Sequence, residues 1–279
     1  MWRRANGEIH LGSTRFRYEA ISAPAPAKDH DGYLISDDFV AVADGLTPVE
    51  GGSAEDLRRY VHRLLLNLEN KSASSNAREA LRQTVRVVGS AFPGSISMTP
   101  TCALAFVRAH NEAIEEAVAG DCTIVIHMRN GDVLRVDDSR MGAFDSVVIR
   151  DIAERMQKGA GYEQALADAL PQLRANRAAA NRAETYWVIG NDDRVADELV
   201  CQSHLLDEVD ALLVCTDGFA RLVDLFRTPA DCGDLIREAA SLGLHDLMSR
   251  LRTMERRIKS LSDYPRLGRF DDATAVYLY

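Results

Sequence analysis

The stretch DDFVAVADGLTP, residues 37–48, carries five consecutive apolar residues straight into Asp44-Gly45. Farther along, VDALLVCTDGFARLVD, residues 209–224, does the same before Asp217-Gly218. A short, unbroken apolar run of this length reads as a strand buried on both faces. An isolated Asp-Gly pair is ordinarily a turn, for backbone reasons. Here the context recurs: Asp121 follows EEAVAG, Asp271-Asp272 precedes ATAVYLY, and Asp31 precedes GYLI. Five carboxylates therefore stand at the ends of strands whose apolar character predicts burial. The strand that ends at Asp217 is the expected partner of the one that ends at Asp44.

Working outward from these runs, strand patterns fall at 9–22, 32–45, 101–110, 112–122, 122–131, 132–138, 184–190, 198–206, 210–216 and 271–279. Asn130-Gly131 marks a hairpin, because that turn needs positive φ. Between them lie helical patterns. In 53–71, Ser53 stands three residues before Asp56, close to a capping box, and Leu57, Val61, Leu64, Leu65 and Leu68 share one face. Residues 77–92 repeat this amphipathic pattern, an Ala/Arg-rich segment spans 144–182, and 218–262 is mostly helical. Helices that arrive in pairs argue against a doubly wound parallel sheet. The expectation is an α+β fold: a four-layer α/β/β/α sandwich of two mainly antiparallel sheets flanked by helix pairs, forming one domain over 1–279.

Composition restricts function. A net charge of −9 without a basic stripe disfavours nucleic acid as a partner. MWRRANGE lacks a following apolar segment of signal-peptide type, and no stretch is apolar enough for a membrane span. No membrane partner is expected, and the cytoplasm is the expected compartment. Cys102, Cys122, Cys201, Cys215 and Cys232 show no CxxC spacing and read as reduced thiols, and no HExxH motif occurs. Carboxylates brought together by packed sheets must be protonated or share cations. Hard oxygen donors without His or Cys select Mg²⁺ or Mn²⁺. Two such ions bridged by an aspartate supply an activated water for attack at phosphorus.

The ordered set DGYLI (31–35), VADG (42–45), GDC (120–122), CTDGF (215–219) and DDAT (271–274) resembles the metal-dependent serine/threonine phosphatases of type 2C. The resemblance spans nearly the whole chain. It implies the four-layer sandwich and a binuclear Mg²⁺/Mn²⁺ centre, with Asp44 and Asp217 acting catalytically through a metal-activated hydroxide. It further implies Asp44 as the bridging ligand, the Gly45 carbonyl on the second metal, and Asp217 and Asp271 on the first. Asp31 would act through metal-bound water, and Asp121 with Asp217 would hold the third metal of bacterial members. Asp271 is preferred to Asp272 as the ligand, and Thr274 matches the Thr of the motif. The substrate implied is a phosphoprotein. A small phosphorylated molecule and a non-catalytic binding module are the alternatives.

This chain also departs from that pattern. Leu46-Thr47-Pro48 follows Asp44-Gly45 where relatives have His-Gly-Gly or Met-Gly-Gly. No arginine precedes Asp31 at the usual place, which the run 23–28 occupies. Lys28 and Arg221 are the candidate phosphate-binding cations, with Asp224 an alternative partner for Arg221. His30 reads as a surface residue and Trp187 as a core aromatic. The helical insert 144–182 falls where a mobile flap beside the cleft is expected.

Overall fold

The computed structural model describes residues 2–26, 28–46, 53–92, 99–257 and 259–279. Two hairpins open the chain: β1 (Arg3–Leu11) with β2 (Thr14–Ala23), and β3 (Gly32–Ser36) with β4 (Phe39–Gly45). Helices α1 (Ala54–Glu69) and α2 (Ala77–Ser90) lead into the meander β5 (Cys102–His110), β6 (Ala113–Ala119), β7 (Thr123–Met128) and β8 (Val133–Asp137). Then come α3 (Ser139–Gln157), α4 (Tyr162–Ala179), β9 (Val200–Leu205) and β10 (Val209–Cys215). Helices α5 (Asp217–Asp224), α6 (Cys232–Leu242), α7 (Leu244–Arg256) and α8 (Ser260–Asp263) precede β11 (Ala273–Leu278).

The strands form two antiparallel sheets, ordered β1-β2-β11-β10-β7-β8 and β3-β4-β5-β6-β9. The pleat of β4 explains how they stack. Phe39, Ala41 and Ala43 point outward, where they pack with Leu57, Tyr60, Leu64 and Leu81 of α1 and α2. Val40 and Val42 point inward, against Ile124, Leu212, Val214 and Val276 of the other sheet. On β10, Leu213 and Cys215 face outward under Phe219, Leu247 and Leu251 of α5 and α7. Three apolar layers thus separate four layers of structure, the sandwich that the paired helices predict. Burial on both faces is why β4 and β10 read as continuous apolar runs.

The α1 pattern holds in detail. Ser53 accepts hydrogen bonds from the N–H groups of Glu55 and Asp56, and the five expected apolar residues are buried together with Tyr60. Asn130-Gly131 lies in the β7–β8 hairpin, with Gly131 at φ +93°. Residues 144–182 resolve into α3 and α4, which pack on each other through Val148, Ile152, Ala165 and Ala169.

Two expectations need correction. Residues 184–190 form no strand; a single antiparallel bridge joins Ile189 to Cys102. The Asn181 side chain accepts from Val188 N–H at 2.8 Å and donates to Val188 C=O at 3.0 Å. It thereby takes the backbone groups that a neighbouring strand would use. Tyr186 and Trp187 owe their strand-like signal to burial instead, Trp187 in the α1–α2 layer. Moreover, β4 and β10 are not hydrogen-bonded partners, since they belong to opposite sheets. The strand pattern expected over 9–22 is a hairpin that begins earlier, because Arg3 onward forms edge strand β1. No helix among the described residues is long and apolar enough to cross a membrane.

Leu64 is fully buried where α1 meets β4. Leu64→Ala should cost about 2–5 kcal/mol of stability, read by chemical denaturation with an unchanged denaturant slope.

Candidate metal centre

The five aspartates converge at one end of the sandwich because the strand ends do. Asp44 continues the parity of Val40 and Val42, on the inter-sheet face of β4. Gly45, its neighbour, is packed tightly: a Cβ there would lie 2.9 Å from the His30 carbonyl oxygen and 3.0 Å from Leu57 Cγ. Opposite, Asp217 begins α5 directly after β10. Gly218 is still more constrained, since a Cβ would stand 1.8 Å from the Asp272 carbonyl oxygen. That contact presses the start of α5 onto the entry of β11, bringing Asp217 and Asp271 together. Asp121 follows Gly120, whose φ of +77° turns the chain from β6 toward β7.

Asp31 enters from the connection before β3 and is tied across the sheets. Thr216 Oγ1 donates to Asp31 Oδ2 at 2.9 Å and accepts from Thr274 N–H at 3.0 Å. Thr216 thus joins β3, β10 and β11 at the site, a role that the apolar-run pattern did not reveal. Asp272 has a different task from Asp271. Its carboxylate accepts from the N–H groups of Ala25 at 2.7 Å and His30 at 2.6 Å, clamping the connection between β2 and β3. Fully engaged with backbone, it is a poor ligand, which favours Asp271. His30 is buried rather than on the surface, and burial pushes its imidazole pKa down.

The electrostatics single out Asp44. Burial raises its pKa most, and the charges of Asp31, Asp217, Asp121 and Asp271 raise it further. Burial likewise pushes up Asp31, Asp121 and Asp217, with nearby carboxylates adding to the effect in each case. Asp271 is the exception. Burial works against its ionisation, but Arg221 and Lys28 outweigh burial and hold it below the ordinary carboxylate value.

The two candidate phosphate-binding cations both stand on Asp271. Arg221 contacts Asp271 Oδ2, and Lys28 Nζ lies 3.4 Å from Oδ1. Asp224 is not the partner of Arg221, because it is taken by Arg135 at 2.6 Å. Arg221 turns instead to Glu255, at 3.2 Å. The helical pair α3–α4 adds groups that the sequence pattern missed. Arg177 lies 3.7 Å from Asp145, and its charge works against the burial that raises Asp121. An arginine in an Ala/Arg-rich helix carries no local sign of this placement. Leu46 packs beside the same insert, near Met141 and Tyr186, whereas Thr47 and Pro48 lie outside the described residues.

The donor set suits hard divalent cations. Asp31 Oδ1, Asp121 Oδ1 and Asp217 Oδ1 are buried without a hydrogen-bond partner, an arrangement that is costly unless something cationic meets them. Among the described residues, no three acidic, His or Cys side chains stand in ready-made ligand geometry. Like charges keep their distance, and Asp271 leans on its two cations. The cysteines are free, and burial pushes the Cys102, Cys122 and Cys215 thiols up, away from metal-binding thiolates.

Solved structures that share this architecture include bacterial serine/threonine phosphatases. The Mycobacterium tuberculosis serine/threonine phosphatase PstP/Ppp aligns over 94% of this chain and 97% of its own, with a TM-score of 0.57 at 14% identity. The catalytic domain of PstP in complex with two manganese ions gives a TM-score of 0.54 at 16% identity, over the same shares. Staphylococcus aureus Stp1 gives 0.54 at 12% identity, over 96% of each chain. No family model and no curated protein matches the sequence. At these identities the likeness is one of fold. The chain has the architecture of the serine/threonine phosphatases, the fold that the resemblance to type 2C enzymes implies.

Raised carboxyl pKa values mean that the folded protein binds protons more tightly than the unfolded chain, so ionisation at neutral pH costs stability. With a chelator present, Asp44→Asn should melt a few degrees above the wild type at neutral pH. The gap should close as pH falls through the raised carboxyl range, and Mn²⁺ should stabilise the wild type but not the variant. Thermal melts at several pH values check this.

Proposed function

We propose that the chain is a metal-dependent phosphomonoester hydrolase acting on phosphoserine and phosphothreonine in proteins. The observation that carries this reading is Asp44, a half-buried carboxylate opposed by four others and with no ion-pair partner among the described residues. In this reading Asp31, Asp44, Asp217, Asp271 and the Gly45 carbonyl hold two Mg²⁺ or Mn²⁺ ions, and Asp121 with Asp217 borders a third. One of the structures sharing the fold is described with two manganese ions, which supports the assignment. Bound divalent cations would supply an activated water and neutralise phosphoryl oxygens.

The chain's own residues set the conditions for that chemistry. Asp44 at the end of β4 and Asp217 just after β10 approach from the two sides of the sandwich, and together they would hold a cation. Thr216 fixes Asp31 through Oδ2 and leaves its buried Oδ1 available to a cation. Asp31 is buried and the other four aspartates are partly shielded from solvent, which strengthens the charge interactions there. Lys28, one-third exposed on a short connection, is placed to meet phosphate oxygens. Arg221 is committed to Asp271 and Glu255, and acts on the site through Asp271. The pair α3–α4 borders Asp121 and serves as a flap in the single domain 1–279. Five unpaired thiols suit a reducing compartment, so we place the enzyme in the cytoplasm.

Turnover of p-nitrophenyl phosphate should require added Mn²⁺. Asp44→Ala and Asp217→Ala should each lower kcat/KM by more than about a hundredfold while leaving the far-UV circular dichroism intact. Metal-independent turnover, or variants as active as the wild type, would sink the reading. A phosphopeptide should be cleaved more efficiently than small phosphorylated metabolites; the reverse order would reassign the substrate.

A further inference from the structure

Asp271 is gripped by two cations that differ in how they are held. Arg221 is fixed from behind. Its Nη1 meets Glu255 Oε1 at 3.2 Å and the Gly268 carbonyl at 3.4 Å. Glu255 Oε2 accepts from Arg252 Nη1 at 2.6 Å, and Arg252 Nη2 donates to the Ala23 carbonyl at 2.6 Å. Glu255 is fully buried, and the side chains of Arg221 and Arg252 are only 10% and 5% exposed. A buried charge chain with both ends engaged holds one geometry, and breaking it is costly. Arg221 therefore keeps Asp271 Oδ2 and aims the carboxylate.

Lys28 is the opposite case. Its backbone is set: its N–H donates to the Ala25 carbonyl at 3.1 Å, while Asp272 clamps Ala25 and His30 on either side. Its side chain is not. The ammonium reaches Asp271 Oδ1 at a long 3.4 Å, is one-third exposed, and has no other hydrogen-bond partner among the described residues. A half-exposed pair of this length is weak, and a flexible four-carbon stem lets the ammonium move without moving the backbone. Of the two oxygens of Asp271, Oδ1 is the one not held by the buried arginine.

We propose that Lys28 is an exchangeable counter-ion. Its ammonium holds Oδ1 of Asp271 until a divalent cation takes that oxygen, and is then transferred to the substrate phosphate. This deepens the phosphatase reading and rests on it. Two properties follow from one residue. Cation binding must displace the ammonium, so Lys28 weakens the affinity for metal. The displaced ammonium adds charge where phosphate arrives, so Lys28 strengthens the affinity for phosphate. An ordinary phosphate-binding lysine would do only the second, and a structural ion pair would do neither.

The test is isothermal titration with Mn²⁺ alone, followed by inhibition of p-nitrophenyl phosphate turnover by inorganic phosphate. Lys28→Met and Lys28→Gln are compared with the wild type and with Arg15→Met. Arg15 pairs with Glu8 near the start of β2, at the opposite end of that strand from the site, and controls for loss of one positive charge. Both Lys28 variants should bind Mn²⁺ roughly three- to tenfold more tightly. They should also show weaker phosphate inhibition and a raised KM with little change in kcat, and Arg15→Met should show neither change. Unchanged or weaker Mn²⁺ binding in the Lys28 variants overturns the exchange, as does tighter Mn²⁺ binding with unaltered phosphate inhibition. A wild type that binds no Mn²⁺ overturns the phosphatase reading itself.

Discussion

The mutual repulsion of Asp31, Asp44, Asp121, Asp217 and Asp271 governs how the two sheets are allowed to end. Two unit charges about 4 Å apart interact by roughly 4 kcal/mol in a protein-like dielectric. That is a large share of the 5–15 kcal/mol by which a domain is typically stable. The chain confines this burden to one rim and opposes it with three apolar layers, α1–α2 on a sheet, sheet on sheet, and sheet on α5–α7. Neutral donors do part of the local work. Thr216 binds Asp31 across the gap between the sheets, where a further charged group would only move the imbalance, and is held to β11 by the Thr274 N–H.

The distribution of protein cations follows the same economy. Arg221 and Lys28 serve Asp271, at the edge of the cluster, and Arg177 with Asp145 borders Asp121. Asp44, in the middle, has none of these as its own. A guanidinium there would neutralise the cluster permanently. Its exclusion leaves the centre without a built-in counter-ion, whereas the cations of the periphery are tethered to the chain, Arg221 by a buried ion-pair network and Lys28 on a flexible stem.

Much of this was legible in the sequence because it rests on local periodicity. The apolar runs before Asp44 and Asp217 carry their own signal of double burial, and the helical faces of α1 and α2 repeat at 3.6 residues. What was hidden depends on residues distant along the chain. The sheet membership of β4 and β10 is decided by neighbours such as β5 and β11, and no feature of either run encodes it. The backbone groups of Val188 are taken by Asn181, so the aromatic run 184–190 has strand composition without strand pairing. Arg221 lies four residues from Asp217 and closer still to Asp224, yet its partners Glu255 and Asp271 come from α7 and the entry of β11. His30 looks like a surface residue because it neighbours two aspartates, and only the clamp of Asp272 on its backbone carries it inside.

The place of β11 has a consequence for how the molecule comes into being. This strand follows every other element in the chain, yet it lies in the interior of its sheet, between β2 and β10. It brings with it Asp271, and Asp272, which closes the connection between β2 and β3. Until it inserts, β2 and β10 have open edges toward one another, and the segment that carries Lys28 has no clamp. Pairings this remote in sequence form late and slowly, because loop closure must come first. Until β11 pairs, the chain therefore holds scattered carboxylates on an unfinished sheet, and the aspartate cluster is assembled only as that strand zips home.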